Sequence, residues 1–141
     1  MTRLTQARIE TLAGSALMRH GASESQAGAL AAGIAAAESD GLKSHGLMYL
    51  PTYCEHLTCG KVVGLAEPHV TRPAPSVVAV DAGNGFAHAA IAAGLPELIE
   101  TARSQGLAAL AIRNSYNCGT LGYHTERIAR DGLVGLGFTL Q

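Results

Sequence analysis

The chain has 141 residues, enough for one ordinary domain with a real hydrophobic core. Its formal net charge is -1 and only 15% of its residues are charged, which argues against a nucleic-acid partner or an anionic membrane surface. Hydrophobic residues make up 48%, yet no apolar run could span a bilayer and the N-terminus lacks the apolar core of a signal peptide, so a cytoplasmic globular protein is expected.

Three helices are predicted at the start of the chain. Apolar residues at helical spacing predict a helix over 4–20, and a glycine directly after it is a typical C-terminal signal. Ser23 caps a second predicted helix over 24–38, whose small residues would let another helix approach closely. A third helix is predicted over 44–57, in which Pro51 either kinks the helix or marks a late first turn.

The second half of the chain alternates apolar runs with helical patterns. The predicted elements are an extended connection at 67–75, strands at 76–82, 107–113 and 133–139, and helices at 87–105 and 120–130. Pro96 interrupts the first of these helices and leaves its boundary open. Buried strands separated by helices indicate α/β organisation with parallel pairing. We therefore predict a helical N-terminal unit over 1–66 and the opening part of an incomplete α/β domain over 67–141, and the apolar ending suggests a piece of something longer.

Three cysteines, Cys54, Cys59 and Cys118, form an odd set in a chain without a leader sequence. They are interpreted as reduced thiols rather than a disulfide framework. Zinc binding by Cys54, His56 and Cys59 is disfavoured, because a closed zinc site needs four ligands and no second Cys/His pair has a standard spacing. No metal site is therefore predicted.

The triplet Ser44-His45-Gly46, followed by Tyr53, is the most informative motif. Histidine titrates near neutral pH and so both gives and takes a proton, while the Ser44 hydroxyl is suited to orient its ring. Gly46 leaves room for a ligand. The alternative is a histidine that only caps or packs at a helix start, and the triplet alone does not decide between the two.

Two polar, glycine-containing loops follow predicted strands. The first, 81–85, could place a phosphate at a helix N-terminus, but His88 stands where the dinucleotide fingerprint needs glycine, so a tight turn with positive φ at Gly83 or Gly85 is the preferred interpretation. The second, 113–124, begins where open α/β sheets generally place their ligands. A capped strand-to-helix loop explains it equally well.

Taken together, these motifs resemble the type-2 malate/L-lactate dehydrogenase family of NAD(P)-dependent oxidoreductases, which is distinct from the Rossmann-fold lactate and malate dehydrogenases. The matching stretches are Asp40-Gly41 with SHGLMYLPTY, DAGNGFAHAA, and GLAALAIRNSYNCGTLGYHTERIARDGLVGLGF. The resemblance covers essentially the whole chain. It implies an unusual nicotinamide-binding fold, NAD or NADP as cofactor, a small 2-hydroxy/2-oxo acid or cyclic imino acid as substrate, and a homodimer with its active site between domains.

The resemblance also implies roles for individual residues. Ser44 and His45 correspond to the relay and proton donor of the imine-reductase branch, and Tyr53 corresponds to a substrate-pocket tyrosine of the hydroxy-acid branch. The segment implied to contact the cofactor consists of Asn117, Cys118, Gly119, Thr120 and Leu121.

Two positions depart from the family pattern. Tyr49 stands where many relatives have an arginine suited to hold a substrate carboxylate, and a phenol supplies no cation. Asn117 stands where many relatives have a histidine, and asparagine is no general acid or base near neutral pH. His45 would then carry the proton role alone. Family members are more than twice as long as this chain, so the competing hypothesis is a non-catalytic fragment that serves only as a dimerisation or interaction module.

Overall fold

The computed structural model describes residues 4–139. A helical layer comes first, followed by a three-stranded sheet with two further helices. The helices are α1 (Gln6–Arg19), α2 (Glu24–Ser39), α3 (Leu50–Thr58), α4 (Ala87–Gln105) and α5 (Leu121–Arg130), and the strands are β1 (His69–Ala74), β2 (Val77–Asp81) and β3 (Ala109–Arg113). Mixed α/β organisation is thereby confirmed. The two-unit division at residue 66 stays a prediction.

The first two helices form as their local signals predict. The Ser23 hydroxyl accepts the N–H of Gln26 at 3.3 Å and caps α2. The third predicted helix is wrong over its first turns, because 43–49 forms two short 3₁₀ turns and α3 begins only at Leu50. Pro51 therefore lies in the first turn of α3, where its missing N–H costs no helical hydrogen bond.

The sheet has the order β1-β2-β3. β2 and β3 are parallel and joined by the crossover helix α4, which confirms the predicted parallel pairing. The predicted extended connection contains β1, which pairs antiparallel with β2 and carries an irregularity between Thr71 and Ala74. Its prolines are compatible with an edge strand, where one side of the backbone needs no sheet partner.

Helix α4 packs closely on the sheet and runs unbroken through Pro96. A Cβ on Gly94 would lie 2.7 Å from a Leu110 methyl and 2.8 Å from a Val80 methyl, so this glycine lets the helix approach the strands. Burial of Leu95 and Leu98 holds the helix in place around the proline. None of the helices in the described residues is both long and apolar enough to cross a membrane.

The predicted strand at 133–139 is wrong. This segment has no regular secondary structure, because no strand in residues 4–139 lies beside it to complete a ladder. Gly135 and Gly137 lie against α5, while Val134 and Phe138 are 92% and 89% exposed. The last two residues of the apolar ending, 140 and 141, lie outside the described residues.

Candidate functional site

The Ser-His-Gly motif occupies the two 3₁₀ turns between α2 and α3. A carboxylate oxygen of Glu38 accepts the N–H of Leu47 at 2.8 Å, which ties the turns to the end of α2. A Cβ on Gly46 would meet this carboxylate, so a larger residue there would have to displace the Glu38 side chain. Ser44 Oγ lies 3.1 Å from His45 Nδ1, and both side chains are exposed. The hydroxyl thus engages one ring nitrogen and leaves Nε2 for a ligand.

Tyr53 lies at the centre of a cluster of aromatic rings. Its ring centroid is 4.8 Å from that of Tyr49, 5.7 Å from that of Phe86 and 6.1 Å from that of Tyr116, each in an edge-to-face arrangement. The Tyr53 side chain is buried, and burial raises the pKa of its phenol above its ordinary value. The cluster therefore joins the first motif to the loop after β3, and Tyr53 stays protonated within it.

One side of this cluster is polar and partly exposed. His56 Nδ1 and the Tyr116 hydroxyl lie 2.5 Å apart, and Lys61 Nζ lies 5.9 Å from the centroid of the Tyr116 ring. Burial, followed by hydrogen bonding with Tyr49, raises the pKa of Tyr116 to about 12. We call the four residues Tyr49, His56, Lys61 and Tyr116 the polar face of the aromatic cluster.

The two polar loops lie side by side at the carboxyl ends of β2 and β3. The Asp81 carboxylate accepts hydrogen bonds from the Gly83 N–H at 3.0 Å and from Asn114 Nδ2 at 3.1 Å, and it pairs with Arg113 at 2.9 Å. The Gly83 N–H, then Asn114 and Arg113, hold the pKa of Asp81 below its ordinary value. Positive φ at Gly83 confirms the predicted tight turn.

The segment 117–121 forms a tight turn that leads into α5. Asn117 Oδ1 accepts the N–H of Gly119 at 2.5 Å, and Gly119 has a φ of 65° that favours glycine. Thr120 is the N-cap residue, but its side chain makes no capping hydrogen bond. The first N–H groups of α5 thus have no side-chain cap, which is the arrangement that suits an anionic ligand.

Two buried histidines support this turn, and neither was among the predicted site residues. His124 Nε2 donates to the Cys118 carbonyl at 2.8 Å, and a Cβ on Gly119 would lie 3.0 Å from His88 Nε2. Burial, then the charges of His124 and Arg127, lowers the pKa of His88 to about 3. In the sequence His88 is visible only as the residue that breaks the glycine fingerprint, so no local signal reports its burial.

The structure brings together some of the predicted site residues. Ser44 contacts His45, and Tyr49 and Tyr53 contact Tyr116, the neighbour of Asn117. Within residues 4–139, however, no hydrogen bond, ion pair or ring contact joins His45 to the segment 117–121. The roles of the predicted site residues therefore stay predictions.

The cysteines are all free thiols. Cys54 is buried, which raises the pKa of its thiol, whereas Cys59 is exposed and Cys118 is partly buried. Over the part of the chain that the structure describes, no three His, Cys, Asp or Glu side chains are grouped so that they could hold a metal ion.

Comparisons with known proteins agree on one family. Residues 4–141 match the family described as malate/L-lactate dehydrogenase. The chain is 40% identical over 136 residues to a Delta(1)-pyrroline-2-carboxylate/Delta(1)-piperideine-2-carboxylate reductase of Pseudomonas putida, which covers 96% of this chain and 40% of the relative. It is 44% identical over 140 residues to a (2R)-3-sulfolactate dehydrogenase (NADP(+)) of Chromohalobacter salexigens, covering 99% of this chain and 42% of the relative.

A solved structure shares the same fold. The crystal structure of malate dehydrogenase from Entamoeba histolytica superposes with a TM-score of 0.85 at 26% identity, covering 93% of this chain and 37% of that one. The chain thus spans about two fifths of the length of the curated relatives that it matches.

Proposed function

The chain belongs to the malate/L-lactate dehydrogenase family, and from this premise we propose that it is a portion of an NAD(P)-dependent oxidoreductase. The proposed reaction moves a hydride between the nicotinamide and a small 2-hydroxy/2-oxo acid or cyclic imino acid. The relatives act, by their names, on sulfolactate and on cyclic imino acids, which is the range of substrates proposed here. We further propose a cytoplasmic homodimer.

One arrangement carries the proposal. The loops after the parallel strands β2 and β3 lie side by side, and the Tyr116 N–H donates to the Gly85 carbonyl at 2.9 Å, which places Tyr116 against the first loop. Tyr116 in turn contacts the proposed substrate residues Tyr49 and Tyr53. A ligand at the carboxyl ends of these strands would therefore meet residues of both motifs.

The segment 117–121 fits an anionic cofactor. The uncapped N–H groups at the start of α5 are donors for a phosphate, and the partial positive charge of the helix N-terminus favours one. Gly119, held between Asn117 and His88, keeps the backbone free of a side chain at this point. Here NADH or NADPH would supply the hydride for reduction, and the oxidised cofactor would accept it in the reverse direction.

His45 is the proposed proton donor. With Ser44 Oγ at Nδ1, the neutral ring that carries its proton on Nε2 presents that proton outward, towards a substrate oxygen or nitrogen. When the Ser44 hydroxyl donates to Nδ1, it holds this tautomer and the orientation of the ring. Asn117 has no titratable group for the same step, so the proposal assigns the proton to His45 alone.

The test compares His45 with an exposed histidine elsewhere. NADH and NADPH are titrated into the complete gene product by calorimetry, and reduction of pyruvate and of a cyclic imino acid is then followed by cofactor absorbance. His45→Gln should lower kcat about 100-fold while leaving cofactor affinity unchanged, in keeping with loss of a general acid. His69→Gln, on β1, is the matched control and should keep full activity. The proposal fails if neither cofactor binds.

The exposed segment 133–139 favours one alternative, a non-catalytic interaction module. Its outward residues Val134 and Phe138 offer apolar surface that an isolated domain rarely leaves uncovered. This alternative expects a folded dimer by light scattering that binds neither NADH nor NADPH. A monomer that binds a nicotinamide cofactor would exclude it.

A further inference from the structure

We propose that Lys61, with His56 and Tyr116, forms an anchor for the carboxylate of the substrate. The starting point is charge: the proposed substrate residues Tyr49 and Tyr53 are phenols, and a phenol supplies no cation for an acidic substrate. The polar face of the aromatic cluster contains a cation from another part of the chain. Lys61 Nζ lies 5.9 Å from the ring centroid of Tyr116.

Lys61 is available for a ligand anion. Its side chain is exposed, and none of the three ion pairs within residues 4–139 involves it. Its contact with the Tyr116 ring holds the ammonium group at the cluster without neutralising it. The anchor therefore has an unpaired positive charge beside the proposed substrate tyrosines.

One neutral donor, the Nε2–H of His56, accompanies this charge. The hydroxyl of Tyr116 and Nδ1 of His56 share a hydrogen bond of 2.5 Å, and both side chains are partly exposed. When the phenol donates to Nδ1, the neutral imidazole keeps its proton on Nε2 and offers it to a ligand. Because the pKa of Tyr116 is raised to about 12, the phenol is uncharged near neutral pH and does not repel an anion. A cation and a polar N–H on one partly exposed face suit a carboxylate.

The inference rests on the proposed function only for the identity of the ligand as a substrate. Binding of a carboxylate to this face needs neither cofactor nor turnover. The test is therefore a binding measurement on the chain itself, so that its failure and the failure of the proposed function are separate results.

The test is a pair of NMR titrations on aromatic-labelled protein. L-lactate should shift the ring signals of His56 and Tyr116 with millimolar affinity, whereas L-lactamide, which lacks the charge, should not. Lys61→Met should weaken lactate binding about two- to fivefold, the effect of losing one exposed ion pair. Lys61→Arg should retain binding, and Arg72→Met, which removes an exposed charge on β1, should change it less than about twofold.

The outcomes distinguish the proposed carboxylate anchor from the proposed oxidoreductase function. Lactate binding that depends on Lys61 supports the anchor even if neither NADH nor NADPH binds, in which case the proposed function alone fails. No shift with lactate, equal shifts with lactamide, or equal affinities in the Lys61→Met and Arg72→Met variants would overturn the anchor, whatever the cofactor does. Because Lys61 is exposed, an unchanged amide spectrum will confirm that each variant is folded.

Discussion

Burial of His88 should make the stability of this protein depend on pH. The imidazole is only 3% exposed, and its Nδ1 has no hydrogen-bond partner. Removal from water disfavours the charged form, and the charges of His124 and Arg127 add to the effect, so that the pKa falls from 6.5 to about 3. The folded protein thus holds His88 neutral over a pH range in which the unfolded chain protonates it.

The sign and size of the effect follow from this difference. Above pH 6.5 the His88 ring is neutral in both the folded and the unfolded state, so its contribution to the free energy of unfolding is fully present. As the pH falls from 6.5 towards about 3, His88 binds a proton in the unfolded chain but not in the folded protein, so the free energy of unfolding declines. At about 1.4 kcal/mol for each pH unit, the loss attributable to His88 reaches about 3 kcal/mol at pH 4.5.

Urea unfolding of His88→Gln measures this contribution. The difference in unfolding free energy between pH 7 and pH 4.5 should be about 3 kcal/mol smaller in the variant than in the unmodified protein. Any pH-independent cost of the substitution cancels, because each protein is compared with itself. His69→Gln, which removes an exposed histidine of β1, is the control and should leave the difference unchanged.

A direct titration tests the same reasoning without a variant. The ring signals of His88 are followed by NMR from pH 7.5 to the onset of acid unfolding, which requires only the unmodified protein. A midpoint near 6.5 for this ring would refute the argument, as would equal pH dependence in His88→Gln and the unmodified protein. A ring that stays neutral until the protein unfolds would confirm it.

Three further substitutions test the packing that positions the site. The Gln26 amide donates to the Ala66 carbonyl at 2.7 Å and accepts the Phe86 N–H at 2.9 Å. Gln26→Leu leaves both buried backbone groups without a partner, so it should lower the unfolding free energy in urea titrations by about 2–5 kcal/mol. A loss below about 1 kcal/mol would contradict this. Gly94→Ala should cost about 1–3 kcal/mol through its clash with the sheet, whereas Gly28→Ala, in a helix with open space around it, should stabilise by up to about 1 kcal/mol; equal effects would show that the close approach is unimportant. Asp81→Asn should lower the urea midpoint at pH 7, and the difference from the unmodified protein should shrink as the pH falls, because the depressed pKa means that the ionised form stabilises the fold until the carboxyl is protonated; an unchanged midpoint at pH 7 would exclude this role.

Local signals predicted most of the regular structure. Ser23 caps α2, and Gly21, the glycine after the first predicted helix, has a φ of 99° just past the end of α1; both follow from residue chemistry within one turn. The bounds of α4 were predicted correctly, although Pro96 left them open, because burial of one helix face outweighed the proline. The family resemblance, which rested on motifs along the whole chain, is confirmed by the match over residues 4–141.

The wrong predictions share one cause: each depends on a partner that is distant in the chain, or on the absence of one. Residues 133–139 have the alternation of a strand, yet a strand exists only where a neighbour completes its hydrogen bonds. In the predicted third helix, the Glu38 carboxylate holds the Leu47 N–H, and 3₁₀ turns replace the helix there. Strand β1 was missed because the three prolines of 67–75 favoured a connection, whereas pairing with β2 made 69–74 an edge strand.

The sequence by itself determined most of the helices, the family and the motif Ser44-His45, because these depend on residues close together in the chain. The parallel strand pair followed from the order strand, helix, strand along the chain. The tertiary structure alone decided which distant side chains meet. His56 and Tyr116 are 60 residues apart and share a hydrogen bond, and His88 is buried against Gly119. Such pairs arise only when the helical layer packs on the sheet, because burial and hydrogen bonding act through space, and a pattern along one strand or helix carries no record of the residues that will face it.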